Sequence, residues 1–131
     1  MSVRTRITLV KTVPMDTPLG YGATFRTRRE SRIATLPIGY GDGLRRGLSN
    51  RGRVLVNGCV APIVGRISMD LTLVDVTDVS EVSAGDEVVL IGTQAGQSVS
   101  AEEVAVETGT ISYEITCGIS SRVPRVYRNS V

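Results

Sequence analysis

Histidine is absent from this 131-residue chain, and lysine occurs once, as Lys11. The first absence removes the commonest general base and metal ligand near neutral pH. The second leaves one amine for any chemistry that needs one. Lys11 stands in Ile7-Thr8-Leu9-Val10-Lys11-Thr12-Val13, where alternation puts it on the polar face of a strand, as a solvated cation. Tryptophan is also missing, and there is a single phenylalanine. Fourteen of the fifteen cationic residues are arginines spread along the sequence, and the formal net charge is only +2. Without clustered cations or stacking platforms, a nucleic-acid surface is not expected. The two cysteines, Cys59 and Cys117, have neither a metal-ligand spacing nor the arrangement of a redox pair, so no metal site is expected. Two free thiols fit a cytoplasmic protein. No apolar run approaches a membrane span, and Met1-Ser2-Val3-Arg4 carries no signal-peptide apolar stretch.

What is present describes a soluble globular domain. Hydrophobic residues make up 41% and charged residues 21%, a balance that permits a real core over 131 residues. No internal repeat or low-complexity linker divides the chain, so residues 1–131 are read as one domain. Strand character runs through Arg6 to Val13, Arg32 to Ile38, Leu71 to Val76 and Glu87 to Ile91. Val54-Leu55-Val56-Asn57-Gly58-Cys59-Val60 is the clearest hairpin, because Asn-Gly suits a type I′ turn. Ser100-Ala101-Glu102-Glu103 fits a capping box, with Val104 to Val106 as an apolar stripe and Gly109 as the stop. Ile111 to Cys117 reads as either a second short helix or a strand. Arg122 to Tyr127 has edge-strand character, since Pro124 cannot donate to a ladder. The expected fold is mainly β: a closed or nearly closed β-barrel-like domain of short strands with one or two short helices.

Several residues are candidates for chemistry, each with a plainer alternative. Tyr21 lies between Gly20 and Gly22. It is either the ring of a glycine turn covering a core edge, or a phenol projected into a cleft by small neighbours. Tyr40, in Ile38-Gly39-Tyr40-Gly41-Asp42-Gly43, ends a strand in a turn where Asp42 bonds backbone. Met69, in Gly65-Arg66-Ile67-Ser68-Met69-Asp70, would ordinarily be core filler. Tyr113, in Thr110-Ile111-Ser112-Tyr113-Glu114, would ordinarily be a buried aromatic. Arg122 and Arg125 flank Val123-Pro124 and read as ion-pair or interface residues without a catalytic role. The glycines form no G-x-G-x-x-G unit, which excludes a nucleotide reading.

Taken in order, these five motifs resemble the C-terminal β-domain of alanine racemase, a fold-type III enzyme using pyridoxal 5′-phosphate (PLP). The likeness runs from about Arg4 to Tyr127. Its departures are small: relatives often carry Ser at Gly20, Ala at Gly41 and Cys at Ser68. The resemblance implies that Tyr21 is the base exchanging the α-proton of the L-enantiomer. A free phenol titrates near ~10, so that role asks for nearby positive charge, which the family supplies from another domain. Tyr40 would line the substrate entrance and meet the substrate carboxylate region in a positioning role, and Met69 would offer its backbone N–H to the substrate carboxylate. Asp70 would order the loop, and Tyr113 would bond the PLP phosphate.

The family's N-terminal (β/α)8 barrel, with its PLP lysine, phosphate loops and substrate-binding arginine, has no counterpart in this sequence. The resemblance therefore implies a head-to-tail homodimer. One subunit's barrel meets the other's β-domain there, and two bases face opposite sides of the α-carbon. It implies D-alanine supply for peptidoglycan, a chain inert in isolation, and an exposed apolar patch where the barrel docks. The reading from a different class is a non-catalytic β-barrel module that binds a protein or small ligand.

Overall fold

The computed structural model describes residues 1–128, so the last three residues of the expected domain lie outside the described residues. The chain begins with β1 (Val3–Arg6) and β2 (Leu9–Val13), followed by the hairpin β3 (Pro18–Leu19) and β4 (Phe25–Arg26). β5 (Ser31–Leu36) leads through two short 3-10 turns to β6 (Arg53–Val56) and β7 (Cys59–Pro62). β8 (Thr72–Asp75), β9 (Glu87–Gln94) and β10 (Gln97–Val99) precede the helices α1 (Ala101–Thr108) and α2 (Ser112–Cys117).

All strand pairs are antiparallel, in a five-stranded sheet ordered β1-β9-β6-β7 with β10 on β9, a three-stranded sheet β2-β5-β8, and the hairpin β3-β4. The fold is thus mainly β with two short helices, as expected. The sheets are not closed, and "barrel-like" describes them only loosely. A bridge between Ile63 and Val74 joins the two larger sheets.

The expected strand Arg6 to Val13 is in fact two strands. At Ile7 the backbone N–H donates to Asp86 O, and at Thr8 it donates to Thr35 O. The chain changes sheets between these two residues, a step that an unbroken apolar pattern does not disclose.

The Asn57-Gly58 hairpin forms as expected, with φ of 49° and 77° at the two turn residues. Ile111 to Cys117 resolves as helix: Ile115 is 2% exposed and anchors α2 in the core. Ser100 caps α1 by accepting the Glu103 N–H at 3.1 Å, and Gly109 ends it in the left-handed region. Glu103 does not reach back to complete the box. Its carboxylate instead takes the Arg53 Nε–H at 2.6 Å and ties α1 to β6.

The edge strand expected over Arg122 to Tyr127 is absent among the described residues. The Arg125 guanidinium donates to the carbonyls of Ile119, Ser120 and Val123, which curls the segment on itself.

Two apolar clusters hold these elements. The larger gathers both big sheets and both helices around side chains such as Leu36, Val54, Leu55, Val56, Val74, Val88 and Val89, all at most 1% exposed. The smaller consists of Val13, Leu19, Ile33 and Val64, with Phe25 and Leu73 against it. β5 serves both because successive side chains leave opposite faces: Ala34 and Leu36 enter the large cluster, and Ile33 enters the small one. The β3-β4 hairpin rests on that small cluster through Leu19 and Phe25.

Candidate functional site

Tyr21 occupies the connection between β3 and β4. Gly20 and Gly22 carry φ of 76° and 75°, conformations that L side chains adopt at a cost. A Cβ on Gly20 would also stand 2.8 Å from Arg66 N and 2.9 Å from Gly65 Cα. The turn is therefore pressed against the Gly65-Arg66 backbone, and Arg66 Nη1 lies under Gly22. The Tyr21 ring faces outward and is 75% exposed, which removes the reading of a ring lying over a core edge.

The loop after β7 is secured from beneath. Ile67 is 2% exposed and plugs into the large core. Its N–H donates to Ser49 Oγ at 2.9 Å, and the Gly65 N–H donates to Asn50 Oδ1 at 2.6 Å. Asn50 Nδ2 in turn donates to Thr24 Oγ1 at 3.1 Å. One amide side chain thereby braces the Tyr21 turn to the Met69 loop. Beyond Ile67, Ser68 closes a tight turn with Leu71 through backbone and hydroxyl bonds.

The same loop receives the Tyr40 turn. The Tyr40 N–H donates to Ser68 O at 3.0 Å, and the Gly41 N–H donates to Met69 O at 2.9 Å. A Cβ on Gly39 would collide with Ser68 O and come within 2.5 Å of Met69 O, so only glycine allows this approach. Thr72 Oγ1, almost wholly buried, donates to Ile38 O at 2.7 Å and fixes the entry to the turn. Asp42 acts as the sequence suggests. Its Oδ2 accepts the Gly39 N–H at 3.0 Å, and its Oδ1 lies 3.3 Å from Arg122 Nε. The same guanidinium donates to Asp70 Oδ1 at 2.6 Å. The Asp70 bond, then the Asp42 charge, raise the Arg122 pKa and hold it as a permanent cation.

Met69 is 51% exposed and is not core filler. Its carbonyl is engaged, whereas its amide N–H donates to no acceptor among the described residues. Tyr113, near the start of α2, is 76% exposed and so is not a buried aromatic. α2 reaches the other loops through a contact between Arg45 and Glu114 at 3.5 Å. It also does so at its C-terminal end, where Gly118 abuts Gly43 and the Ser120 N–H donates to Asp42 O. The structure thus links Tyr21, Tyr40, Met69 and Asp70 through one continuous set of loop bonds, with Tyr113 joined at one remove. Lys11 stands in β2 opposite Ile33, exposed and outside these bonds. Among the described residues, no group of three His, Cys, Asp or Glu side chains could hold a metal ion, and no helix is long and apolar enough to cross a membrane.

Sequence reasoning left the braces unnamed. Ser49 and Asn50 carry a detectable signal: a Ser-Asn pair at a turn, with Asn50 at φ 59°, has polar side chains that seek backbone partners. Arg122 reads from the sequence as an ion-pair or interface residue; the ion pair forms, but nothing in its neighbourhood along the chain names Asp42 or Asp70.

The family model described as alanine racemase, C-terminal domain, matches residues 1–127. The chain is 55% identical over 128 residues to an alanine racemase of Halothermothrix orenii, covering 98% of this chain and 34% of that protein. It is 54% identical over 127 residues to alanine racemase 2 of Caldanaerobacter subterraneus, covering 97% and 33%. The chain thus spans about a third of the length of these curated relatives. Among solved structures it superposes on the Bacillus anthracis alanine racemase with bound L-Ala-P at a TM-score of 0.92 and 44% identity, covering 98% of this chain and 32% of that one. A Bartonella henselae alanine racemase with covalently bound pyridoxal phosphate gives a TM-score of 0.91 at 41% identity, covering 97% and 34%.

Proposed function

We propose, from the premise that this chain belongs to the alanine racemase C-terminal domain family, that it supplies one catalytic face of a PLP-dependent racemase. Residues 1–131 act as a single unit, paired with an N-terminal (β/α)8 barrel and a second subunit in a head-to-tail homodimer. The product, D-alanine, serves peptidoglycan in the cytoplasm.

The donor chemistry on this chain suits one end of PLP and not the other. The outward phenol of Tyr113 is a neutral donor for the phosphate oxygens. No amine stands among the tyrosine loops to take the aldehyde carbon, because the only lysine, Lys11, lies in β2. PLP, when bound, withdraws the electrons left at the α-carbon. Tyr21, as phenolate, accepts the α-proton of L-alanine at its Oη; as phenol it returns one to the same face. The barrel's lysine serves the opposite face. The Met69 N–H binds the substrate carboxylate, Tyr40 lines the substrate entrance and positions the substrate near its carboxylate, and Asp70 keeps the loop in register with the reacting carbon. Fixed geometry is the chief contribution of such a wall, since misplacement by about 1 Å can cost ~100-fold.

One observation carries this reading: Tyr21, Tyr40, Met69 and Tyr113 are all exposed, and among the described residues the three tyrosine hydroxyls and the Met69 N–H have no hydrogen-bond partner within the chain. A buried packing role would have enclosed the rings and satisfied their hydroxyls inside the chain. The test is α-proton exchange of L- and D-alanine in D2O, with this chain mixed with its separately expressed barrel and PLP. Exchange should require both pieces. Tyr21→Phe should lose about 100-fold or more, chiefly for L-alanine. Steady racemisation by this chain alone, or equal loss on both faces, would contradict the division of labour. No exchange from a demonstrably docked complex would favour the binding module.

A further inference from the structure

We propose that Arg122 is a positioning residue that locks the Tyr40 turn and the Met69 loop into one carboxylate-binding unit, an inference that rests on the racemase reading above. Its guanidinium is the one cation that meets both loops through side-chain carboxylates among the described residues: Nε lies 3.3 Å from Asp42 Oδ1, and Nη2 donates to Asp70 Oδ1 at 2.6 Å. The Asp42 side chain is 13% exposed, and a carboxylate so enclosed needs a paired cation. Its second oxygen is committed to the Gly39 N–H, at the start of the Tyr40 turn. Asp70 directly follows the residue whose amide is unengaged. The third nitrogen, Nη1, lies so near Gly41 that a Cβ there would clash with it, so the guanidinium packs against the turn.

The planar fork makes this role particular to arginine. Two carboxylates on different loops are met at once by nitrogens held in fixed geometry, which a lysine ammonium cannot reproduce. Backbone bonds from Tyr40 N–H and Gly41 N–H already join the two loops. What Arg122 adds is orientation at Asp70, and hence the direction of the Met69 N–H. Arg125 stands behind it, folding the segment that carries Arg122 by binding three carbonyls.

A carboxylate-binding amide is used equally in ground and transition states, so its misalignment should appear in KM. With the barrel and PLP supplied, Arg122→Gln should raise KM for alanine about tenfold, short of the ~100-fold of a full 1 Å displacement, and change kcat much less. Arg122→Lys, keeping charge without the fork, should fall between. In the 131-residue chain alone, 15N relaxation should show Met69 and Tyr40 amides losing order in Arg122→Gln while β6 and α1 amides stay rigid. Met69 and Tyr40 amides that remain ordered would overturn the lock, as would a loss confined to kcat. If Arg122→Gln does not fold, Asp70→Asn removes the exposed arm of the same lock and should give the same KM-weighted loss. An unchanged KM there would overturn it. A wild-type pair that docks but does not racemise would defeat the racemase reading instead, leaving the relaxation result to decide the lock.

Discussion

Among the described residues, the β6–β7 and β3–β4 hairpins both turn through positive φ, as β9–β10 also does, yet these two are put to opposite uses. In β6–β7, Asn57 and Gly58 make the tightest possible link, and the tip is tied inward: the Gly58 N–H donates to Gln94 Oε1 at 2.8 Å. The strands below it carry Val54, Leu55 and Val56 into the large core. In β3–β4 the link is longer, Gly20, Gly22 and Ala23 all have positive φ, and the ring at its tip faces solvent. The strands below it are two residues each and stand on the small cluster. The first hairpin spends its turn on closing a sheet. The second holds a strained turn whose tip leaves a phenol exposed, the arrangement the proposed role of Tyr21 requires.

The comparison is most severely tested by removing a side chain from the first hairpin. Leu55→Ala should cost about 2–5 kcal/mol in denaturant unfolding, because Leu55 is fully buried between sheets. Tyr21→Phe, by contrast, should leave the unfolding midpoint within the ~0.5 kcal/mol typical of exposed positions while abolishing most L-alanine exchange.

An intermediate effect sharpens the contrast. Gly20→Ala should cost about 1–3 kcal/mol, since it adds a strained φ and a Cβ 2.8 Å from Arg66 N. Unlike Leu55→Ala, it should also lower exchange in the assembled enzyme under conditions where the chain remains fully folded. Preserved exchange there would mean that the Tyr21 turn needs no support from the Gly65-Arg66 backbone.

The smallest effect lies outside both hairpins. Arg29 Nη2 donates to Asp78 at 2.8 Å on the open surface, and that bond holds the Asp78 carboxyl below its ordinary value of 3.8. A depressed carboxyl stabilises above its unfolded pKa and loses that contribution as pH falls through the folded value. Wild type should therefore exceed Arg29→Gln at pH 7 by an amount near the limit of detection, and the gap should close in acid. Solvent screening keeps it small. A gap that widened in acid would reverse the assignment.

How much of this was legible follows from how far each interaction reaches along the chain. The Asn57-Gly58 turn, the Ser100 cap and the Gly109 stop are decided by neighbours a few residues apart, and all three form. The second arm of the capping box fails because Glu103 finds Arg53, 50 positions away, a better partner than its own helix start. The edge strand over Arg122 to Tyr127 fails for a related reason: Arg125 satisfies nearby carbonyls and leaves no extended segment to pair. The tyrosines and Met69 were visible only as motifs. Their outward aim depends on Asn50 bridging Thr24 to Gly65 and on Arg122 reaching Asp70 across 52 positions. Neither distance leaves a periodic trace.

The contact at Gly39 has a consequence for how such a site could be changed. Because a Cβ at this position would collide with the carbonyls of Ser68 and Met69, the two loops have no slack between them. On the proposed racemase reading, lengthening or re-angling either loop alone to alter the substrate spectrum would break both. Laboratory evolution of this wall should therefore proceed by swapping the outward side chains at Tyr40 and Met69, with the backbone beneath them kept as an inherited constant.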